Sequence, residues 1–397
     1  MFYKADIVKA AGSKGTAHPD CAGTAPVLGM EIDSMSEKIM VAMSGGVDSS
    51  VAASLLMKQG FDVCGATLRL FGNEEAGISR SRTCCSLADV EDARSVAMRL
   101  GIEHFVFNFG REFQRDVVAR FVEEYENGRT PNPCIDCNRY IKFGKLLERA
   151  RLLGMDRIAT GHYARAEYDP ERGRWLLKKA KDASKDQTYV LYAMTQDELA
   201  HTLFPLGGFL KSEVRVLAQE RGFINARKPD SEDICFVPDG DYAGFLERVM
   251  QVRPQPGDFV DREGRVLGRH RGLIHYTVGQ RKGLGLSFPT PRYVVKKDRS
   301  NNTVVLGENN ELYSGGFTAG NVNLISVERL TEPKQVGVKI RYSQTEAPAA
   351  LYPLEDGRIS VRFDRPQRAV TPGQAAVFYD GDVVLGGGTI EESGGTQ

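Results

Sequence analysis

The stretch KIMVAMSGGVDSSVAASLLMKQG, residues 38–60, decides the fold class. The apolar, β-prone residues up to Met43 predict a strand, and the Ala- and Leu-rich run at 51–58 predicts a helix that a glycine ends. Gly45 and Gly46 lie between them and allow backbone N–H groups to approach an anion closely, where the helix dipole favours negative charge. The stretch therefore predicts a strand, a tight turn and an anion-binding helix N-terminus.

The polar residues of the same turn indicate which kind of anion the turn binds. Ser44, Ser49 and Ser50 add hydroxyl donors, and Asp48 adds a carboxylate beside the glycine pair. The spacing differs from G-x-x-x-x-G-K-[ST], and no lysine lies in the loop to reach a β/γ-phosphate. The S-G-G-x-D-S pattern is typical of the pyrophosphate loop of enzymes that cleave ATP between its α- and β-phosphates and adenylate an oxygen. A plain strand–turn–helix connection would leave these polar residues unexplained.

The length and the net charge of the chain limit the number of domains and the kinds of partner that we expect. With 397 residues the chain is expected to form two or three domains, and its hydrophobic content of 41% is ordinary for a globular protein. Lys plus Arg and Asp plus Glu are equal at 52 each, so the net charge gives no sign of nucleic-acid binding. Any RNA contact must therefore come from local basic patches.

Cysteine usage and hydropathy favour a cytoplasmic protein. The seven cysteines include an adjacent pair and a C-x-x-C arrangement, which in a chain of this size indicates reactive or metal-bound thiols in a reducing compartment. No apolar run approaches the roughly 20 residues of a membrane span, and the N-terminus lacks the apolar core of a secretory signal. We expect a monomer without a membrane partner.

The first half of the chain alternates strands with helices. After a Gly-, Ala- and Ser-rich stretch at 1–36, which we expect to be a disordered extension, apolar strands are predicted at 61–70, 104–109 and 157–163. Amphipathic helices between them predict an α/β fold, a doubly wound parallel sheet with helices on both faces. The Gly-Gly turn would then lie at the carboxyl end of the first strand, where open sheets bind ligands.

The sequence pattern changes after about residue 254. Helical periodicity ends, and short β-prone runs alternate with turns such as Glu355-Asp356-Gly357. The pattern predicts a small β module near 254–315 and a barrel near 316–397. We accordingly divide the chain into an extension at 1–36, an ATP-binding catalytic domain at 37–235, a small central β domain at 236–315 and a β-barrel at 316–397.

Three cysteines are candidates for sulfur chemistry. In the run PNPCIDCN, residues 131–138, Cys137 lies just before a helix predicted to start near Arg139. A helix N-terminus lowers the pKa of a thiol and makes a thiolate nucleophile. Cys235 alone would more often be structural, but with the upstream thiols it is a candidate second sulfur. The adjacent cysteine pair at 84–85 follows a basic loop. A role in local packing explains this pair as well as metal binding or a redox function does.

Polar loops bring positive charge toward the predicted ligand edge. Gly161 follows a strand there and permits close backbone approach, and His162 could touch a nucleotide or RNA, although a structural role explains it equally well. The run Lys185-Asp186-Gln187 follows a lysine-rich stretch, and the loops at 269–272 and 279–285 are basic and glycine-rich. Such loops either contact RNA phosphates or form a solvated charged surface.

These segments together carry a family resemblance. Residues 36–397 resemble the tRNA-specific 2-thiouridylases, bacterial enzymes that place sulfur on C2 of the wobble uridine of tRNA. The resemblance rests on a series of linked motifs: SGGVDSS, PNPxxxCN, ATGHYAR, KDQ[ST]Y, DICF, HYTVGQRKGLG and RYSQ. Many families share a pyrophosphate loop, but the combination of motifs is specific.

The resemblance implies a pyrophosphate-loop domain, a small central β domain and a C-terminal barrel, and it assigns roles by position. The residues implied to bind ATP are Ala42, Met43, Ser44, Gly45, Gly46, Val47, Asp48, Ser49, Leu68 and Gly161. The residues implied to contact the target base or tRNA are Asn132, Pro133, Cys134, His162, Lys185, Asp186, Gln187, Arg341, Tyr342 and Gln374. Cys137 matches the nucleophile and Cys235 the persulfide carrier, with Asp48 as a third catalytic residue.

The implied chemistry needs ATP and Mg²⁺. Adenylation of the C2 oxygen gives a poor electrophile a good leaving group, AMP, while loop amides and Mg²⁺ stabilise the departing pyrophosphate. A persulfide on Cys235 then delivers sulfur, and Cys137 attacks that persulfide, which releases sulfide or forms a disulfide. The implied partners are tRNA, whose wobble base must leave the anticodon stack, and a sulfur-donor or relay protein.

One position departs from the family pattern. Many members have aspartate where this chain has Cys134, so Cys134, Cys137 and Cys235 could converge and hold a [4Fe–4S] cluster with one open iron for exogenous sulfide. The sequence leaves this cluster and the persulfide relay equally open. A structural Zn²⁺ site is a weaker alternative, because such sites are normally closed by a fourth ligand.

Two other functions stay open at this stage. One is a pyrophosphate-loop ligase or amidotransferase that acts on a small molecule and has no use for the three cysteines. The other is a non-catalytic nucleotide-binding RNA adaptor with a degenerate loop, and the intact Asp48, Ser49 and Cys137 argue against it. Pyrophosphate release that depends on tRNA would separate the three functions.

Overall fold

The computed structural model describes residues 36–71, 87–230, 234–237, 239–248 and 250–394. The expected N-terminal extension, except for its last residue, lies outside this range, as does the cysteine pair at 84–85. The described residues form one compact unit.

A parallel sheet organises the first part of the chain. Its five strands lie in the order β3-β2-β1-β4-β7, and every neighbouring pair is parallel. The strands are β1 (Lys38–Ala42), β2 (Asp62–Arg69), β3 (His104–Asn108), β4 (Arg157–Ala159) and β7 (Thr202–Leu203). The strand order reverses between β1 and β4, and open α/β sheets bind ligands at such a switch point.

Helices connect these strands and cover the sheet. They are α1 (Val47–Lys58), α2 (Leu87–Leu100), α3 (Gly110–Phe113), α4 (Ala119–Glu126), α5 (Pro133–Asp136), α6 (Leu146–Leu152), α7 (Thr188–Leu191), α8 (Gln196–Ala200), α9 (Lys211–Glu220) and α10 (Tyr242–Arg248). Wider π-helical segments, Gln114–Val118 and Cys137–Lys145, join α3 to α4 and α5 to α6. The predicted α/β fold with a doubly wound parallel sheet is confirmed.

Apolar residues of the strands are buried on both faces of the sheet, as expected for parallel strands. Ile39 and Val41 pack with α1, α2 and α9 on one side, whereas Met40 packs with α6 on the other. Alternate residues of β1 therefore serve two separate cores, which explains why the strand is apolar throughout.

A small β module follows α10. Its sheet has the order β10-β11-β8-β9, with 3₁₀ turns at Leu273–His275 and Asn309–Leu312. The strands are β8 (Gly257–Val260), β9 (Val266–His270), β10 (Tyr293–Asp298) and β11 (Thr303–Gly307). Phe259 and Val294 centre its own small core, so the module is a separately packed layer.

Six antiparallel strands close into a barrel in the last part of the chain. They are β12 (Tyr313–Leu324), β13 (Lys334–Lys339), β14 (Ala347–Pro353), β15 (Ile359–Arg368), β16 (Ala375–Asp380) and β17 (Val383–Gly394). Pairing of β12 with both β15 and β17 closes the barrel. The predicted C-terminal β-barrel is confirmed.

A hairpin of the first part continues the barrel sheet. The hairpin consists of β5 (Arg165–Asp169) and β6 (Arg174–Lys178), and β6 pairs with β17 through Lys178 and Val383. No local sequence pattern predicts this junction, which joins the barrel sheet to the first part of the chain. Within the described part of the chain, no helix is long and apolar enough to cross a membrane.

Candidate nucleotide and thiol site

The predicted pyrophosphate loop connects β1 to α1 at the strand-order switch point. Gly45 has a φ of +73°, and Gly46 caps the helix with an extended backbone. The hydroxyls of Ser49 and Ser50 donate to the Gly46 carbonyl oxygen over 3.2 and 3.0 Å, and Ser49 Oγ accepts from the Ser44 amide over 3.3 Å. The serines therefore hold the turn in shape while α1 directs its N-terminus toward the open edge of the sheet.

Two glycines are required by close contacts around this loop. A Cβ added to Gly45 would lie 2.4 Å from the Asp89 carbonyl oxygen, and one added to Gly161 would lie 2.7 Å from the Ser49 amide nitrogen. Contacts this short need a backbone shift. Gly161 therefore lets the chain after β4 pass directly over the start of α1, next to Asp48, as its predicted place in the nucleotide site requires.

Asp48 is fixed by two side chains that come from distant parts of the chain. The Tyr163 hydroxyl donates to Asp48 Oδ1 over 2.9 Å. Lys211 Nζ lies 2.8 Å from Oδ1 and 2.7 Å from Oδ2, at the start of α9, and is itself mostly buried. Both oxygens of the carboxylate are thus hydrogen-bonded, so the orientation of Asp48 is set before any ligand arrives.

A second carboxylate, Asp230, forms ion pairs with three basic side chains near Asp48. Lys185 and Lys211 lie 2.8 Å from its oxygens, and Arg215 lies 3.0 Å away. Burial acts to raise the pKa of Asp230, but the hydrogen bonds from Lys185 and Lys211 outweigh it and hold that pKa below its ordinary value. Lys211 therefore bridges the loop carboxylate and the segment that leads toward Cys235.

Two further residues support the loop from outside. Asn225 Nδ2 donates to the Gly45 carbonyl oxygen over 3.0 Å and to Ser50 Oγ over 2.9 Å. Lys228 Nζ lies 3.3 Å from the same carbonyl oxygen and 2.6 Å from carboxylates of both Asp89 and Asp92. Four residues of this site could not be found from the sequence, because no local motif links them to a loop more than 160 residues away: Lys211, Asn225, Lys228 and Asp230.

The cysteine-bearing helix begins earlier than predicted. Asn132 is the N-cap, its side-chain oxygen accepts from the Cys134 amide over 3.1 Å, and Pro133 is the first helical residue. Cys137 is therefore one turn inside the helix, at the start of the π-helical segment. The predicted helix start near Arg139 was wrong, and Cys134 rather than Cys137 lies in the first turn of the helix.

The thiols Cys137 and Cys235 belong to one apolar cluster. Cys137 is buried and Cys235 is half-buried among the aromatic rings of Phe113, Phe121 and Phe236. Leu68, at the end of β2, packs against the same cluster. The two thiols are thus brought to the carboxyl edge of the sheet, on the side where the predicted nucleotide contact Leu68 lies, while Cys134 is exposed.

The three thiols do not form a metal site in the described part of the chain. No three side chains of the His, Cys, Asp or Glu type lie close enough there to hold a metal ion. A [4Fe–4S] cluster bound by three cysteines needs all three thiolates around one centre. Cys137 and Cys235 share one apolar cluster and Cys134 is exposed, and binding of a [4Fe–4S] cluster by the three thiols stays a prediction.

Barrel residues approach the exposed Cys134. The Tyr342 ring packs against Tyr189 at a centroid distance of 6.0 Å. Burial raises the pKa of Tyr342, and Asp186 and Cys134 add to the rise while Lys185 opposes it, so these groups lie around its hydroxyl. Gln374 Nε2 donates to the Thr130 carbonyl oxygen over 2.6 Å. Tyr342 and Gln374 therefore flank the segment that holds Asn132, Pro133 and Cys134.

His162 lies buried just after β4. The ring is buried between Phe143 and Phe204, and its Nδ1 lies 2.8 Å from Thr160 Oγ1. Burial, with a small contribution from Lys142, lowers the pKa of His162 well below its ordinary value, so the ring is neutral. This burial favours the structural explanation, and contact of His162 with tRNA stays a prediction.

The neighbouring run is also bonded internally. Asp186 accepts from the Ala180 amide over 3.0 Å and from Thr188 Oγ1 over 2.6 Å. Gln187 Oε1 accepts from the Tyr163 amide over 2.9 Å. These bonds hold the run beside Asp48 and Tyr342, so Asp186 and Gln187 connect the two halves of the predicted site.

Three family models match the chain. The tRNA methyl transferase HUP domain matches residues 37–239, the tRNA methyl transferase PRC-barrel domain matches 243–308, and the aminomethyltransferase beta-barrel domain matches 314–390. The first of these alone covers half of the chain, and together they follow the three layers of the fold.

Curated relatives match nearly the whole chain. The tRNA-specific 2-thiouridylase MnmA of Acetivibrio thermocellus is 55% identical over 357 residues, which is 89% of this chain and 99% of that relative. The enzyme of the same name from Symbiobacterium thermophilum is 53% identical over 363 residues, 90% of this chain and 93% of that relative.

Solved structures match more weakly. The U34-tRNA thiolase NcsA from Methanococcus maripaludis, solved with its [4Fe-4S] cluster, is 19% identical and covers 56% of this chain and 70% of its own, with a TM-score of 0.32. A likeness at this level carries no argument about the site.

Proposed function

The chain belongs to the tRNA-specific 2-thiouridylase family and is a sulfurtransferase enzyme, and on that premise we propose that it performs ATP-dependent 2-thiolation of the wobble uridine of tRNA. The observation that carries this proposal is that two groups of residues lie at the same edge of the parallel sheet. The fixed Asp48 of the pyrophosphate loop and the Cys137–Cys235 cluster lie at that edge, with Leu68 packed against the cluster. An adenylating centre and a pair of thiols on one edge suit activation followed by sulfur transfer.

In the first step, ATP adenylates the C2 oxygen of the uridine and pyrophosphate leaves. The loop at 42–49 would receive the phosphates, because its glycines admit close backbone approach and α1 supplies a positive dipole end. Mg²⁺, which favours carboxylate and phosphate oxygens, would add neutralising charge beside Asp48 when bound. Lys211 and Tyr163 keep that carboxylate in place, and Gly161 closes over it.

In the second step, sulfur replaces AMP on C2. The terminal sulfur of a persulfide on Cys235 attacks C2, AMP leaves, and Cys137 attacks Cys235 Sγ, so that two thiols supply the electrons and end as a disulfide. Release of sulfide by Cys137 is the alternative route to the same product. The apolar surroundings of both cysteines support either route, because a site that excludes water protects a persulfide and an adenylate.

The substrate base would enter between the thiol helix and the barrel. Asn132, Pro133 and Cys134 form the helix start, and Tyr342 and Arg341 extend from the barrel toward it. An anticodon-loop base that has left its stack is small enough to reach such a gap, whereas a paired base is not.

Further parts of the proposal concern the surroundings of the enzyme. We place it in the cytoplasm as a monomer that receives sulfur from a donor or relay protein. Its catalytic domain spans 37–235, its central β domain 236–315 and its barrel 316–397.

The test is a single-turnover assay with unmodified tRNA, ATP and persulfide-loaded enzyme. We expect 2-thiouridine, AMP and pyrophosphate in equal amounts, with pyrophosphate release dependent on tRNA. Pyrophosphate release that needs only a small molecule would favour the ligase reading, and binding of tRNA without turnover would favour the adaptor.

Iron analysis separates the two sulfur routes. A persulfide relay predicts that protein purified without oxygen thiolates tRNA while it contains no bound iron or acid-labile sulfide. About four irons per chain, lost together with activity in Cys134→Ser, would replace the persulfide relay with a cluster.

A further inference from the structure

Lys211 is shared by two carboxylates. Its Nζ lies 2.8 and 2.7 Å from the two oxygens of Asp48 and 2.8 Å from Asp230 Oδ1, so neither carboxylate holds the ammonium group alone. An ammonium group is a compact charge on a flexible stem, and it can move toward either carboxylate through a small change in side-chain torsion. The strength with which Lys211 holds Asp48 therefore depends on the other cations that Asp230 has around it.

These other cations, Arg215 and Lys185, are held differently. Arg215 lies 3.0 Å from Asp230 Oδ1, and its Nη1 also donates to two backbone carbonyl oxygens over 3.2 and 3.1 Å, which fixes its position. Lys185 pairs with Asp230 Oδ2 over 2.8 Å, and its side chain is 40% exposed, against 11% for Lys211. A ligand that arrives from solvent therefore reaches Lys185 first.

The charges at the two ends of this network already interact. The hydrogen bond to Asp230 raises the pKa of Lys185, and the charge of Asp48 adds to the rise. A partly exposed ion pair is weak, and a phosphate group competes well for an ammonium. Loss of Lys185 to a phosphate would leave Asp230 with one cation fewer, so Asp230 would attract Lys211 away from Asp48. The Tyr163 hydroxyl would still hold Asp48 Oδ1.

We propose that Lys185, Asp230 and Lys211 form a relay that couples binding of tRNA to binding of Mg·ATP at Asp48. Without tRNA, Lys211 neutralises Asp48 and competes with Mg²⁺ for its oxygens. With a tRNA phosphate on Lys185, Lys211 moves toward Asp230, and Asp48 attracts the metal more strongly. Asp230 acts through Lys211 and is a positioning residue. The proposal rests on the proposed function, in which Lys185 is one of the residues implied to contact tRNA.

The test measures the affinity of the full chain for α,β-methylene-ATP in the presence of Mg²⁺, with and without saturating unmodified tRNA. This analogue cannot be cleaved between its α- and β-phosphates, so binding is measured without reaction. The ratio of the two affinities is the coupling factor, and we expect about ten for the wild type. The analogue must then raise the affinity for tRNA by the same factor. A coupling factor of one in a wild type that binds both ligands would overturn the proposal.

Two variants are expected to differ in the affinity measured without tRNA. Lys185→Gln removes the exposed cation permanently, so the analogue should bind about tenfold more tightly than to the wild type, and tRNA should add little. Asp230→Asn removes the charge that attracts Lys211, so the analogue should bind no more tightly than to the wild type, and tRNA should again add little. Lys181→Gln is the matched control, because Lys181 is an exposed lysine of the same stretch that pairs with Glu213 over 3.2 Å. It should keep the wild-type affinities and coupling factor.

This difference between the variants separates the relay from a purely structural role. If the network only maintained the shape of the site, both variants would weaken analogue binding to the same extent with and without tRNA, and the proposal would be overturned. A wild-type coupling factor in both variants would overturn it as well. Failure of the proposed function gives another result, because the wild type would then not bind tRNA. In a wild type that binds and thiolates tRNA, the coupling factors alone decide the proposal.

Discussion

The pyrophosphate loop and the thiol cluster lie at the same edge of the parallel sheet, but charged side chains surround the loop and apolar side chains surround the thiols. Around the loop, Asp48 and Asp230 are matched by lysine and arginine side chains at hydrogen-bond distance. Around the thiols, Phe113, Phe121 and Phe236 supply apolar surface.

This difference follows from what each end must stabilise. A departing pyrophosphate carries several negative charges, so its site needs fixed donors and cations that do not reorganise during reaction. Sulfur in a persulfide is lost by reaction with other thiols, and an adenylate is lost by reaction with water, so an enclosure that excludes both suits this step. The two steps therefore require two different environments at one edge of the sheet.

The largest effect is expected from the charged end. Asp48→Asn removes the charge that Lys211 and the Tyr163 hydroxyl hold, and we expect tRNA-dependent pyrophosphate release to fall at least about 100-fold. The matched control is Asp62→Asn, an exposed aspartate at the start of β2, which should keep full activity. Wild-type pyrophosphate release by Asp48→Asn would remove the loop from the mechanism.

The thiol end is expected to fail in the second step alone. Cys137→Ser and Cys235→Ser should each abolish 2-thiouridine formation while pyrophosphate release continues, because the loop contacts are intact. Cys64→Ala is the control: burial raises the pKa of the Cys64 thiol to about 11, so it stays protonated and unreactive. Normal thiouridine from either serine variant, quantified by mass spectrometry, would remove that cysteine from sulfur transfer.

A smaller loss is expected where the chain passes over the loop. Gly161→Ala places a methyl group 2.7 Å from the Ser49 amide, and a displacement of the loop should reduce adenylation about 10- to 100-fold. Gly208→Ala, where an added Cβ meets nothing within 4 Å, is the matched control. Equal rates for the two variants would mean that the loop tolerates the displacement.

The smallest effect concerns a buried charge beside the thiols. Burial raises the pKa of Asp136 to about 6, although Arg120, 3.6 Å away, partly opposes this. The folded protein therefore favours the neutral acid, so this contribution to stability is present below the ordinary pKa of about 3.9 and is lost as pH rises through about 6.

Asp136→Asn should accordingly raise stability at neutral pH by about 1–3 kcal/mol and flatten its pH dependence. Denaturant unfolding at acidic and neutral pH measures both quantities, with Asp116→Asn, an aspartate that pairs with exposed Arg115, as the control. A steeper loss of stability with rising pH in Asp136→Asn would contradict the assigned burial of charge.

The parts of the site that one continuous stretch encodes could be predicted from sequence. The loop at 42–49 was located because strand, glycines and helix follow one another, and the barrel was foreseen from its turns. The start of the cysteine helix was misplaced, although Asn132 followed by Pro133 is itself a helix-start signal, an N-cap and a first-turn proline.

Other parts of the site depend on long-range folding. Lys211 reaches Asp48 across 163 positions, and Lys228 reaches the Gly45 carbonyl oxygen across 183. Neither lysine stands in a motif, because its partner is set by the position of a helix or loop in space.

The pairing of β6 with β17 has a consequence for fragments of this protein. Leu176 and Leu177 of β6 are buried, and the strand pairs with β17 of the barrel at Lys178. A shortened protein that ended before β12 would leave this hairpin edge bare, with open backbone groups next to apolar side chains. Such edges recruit strands from other molecules. Truncation at the barrel boundary would therefore cause aggregation instead of giving a smaller soluble enzyme. The solubility of the first part of the chain thus depends on the presence of the barrel.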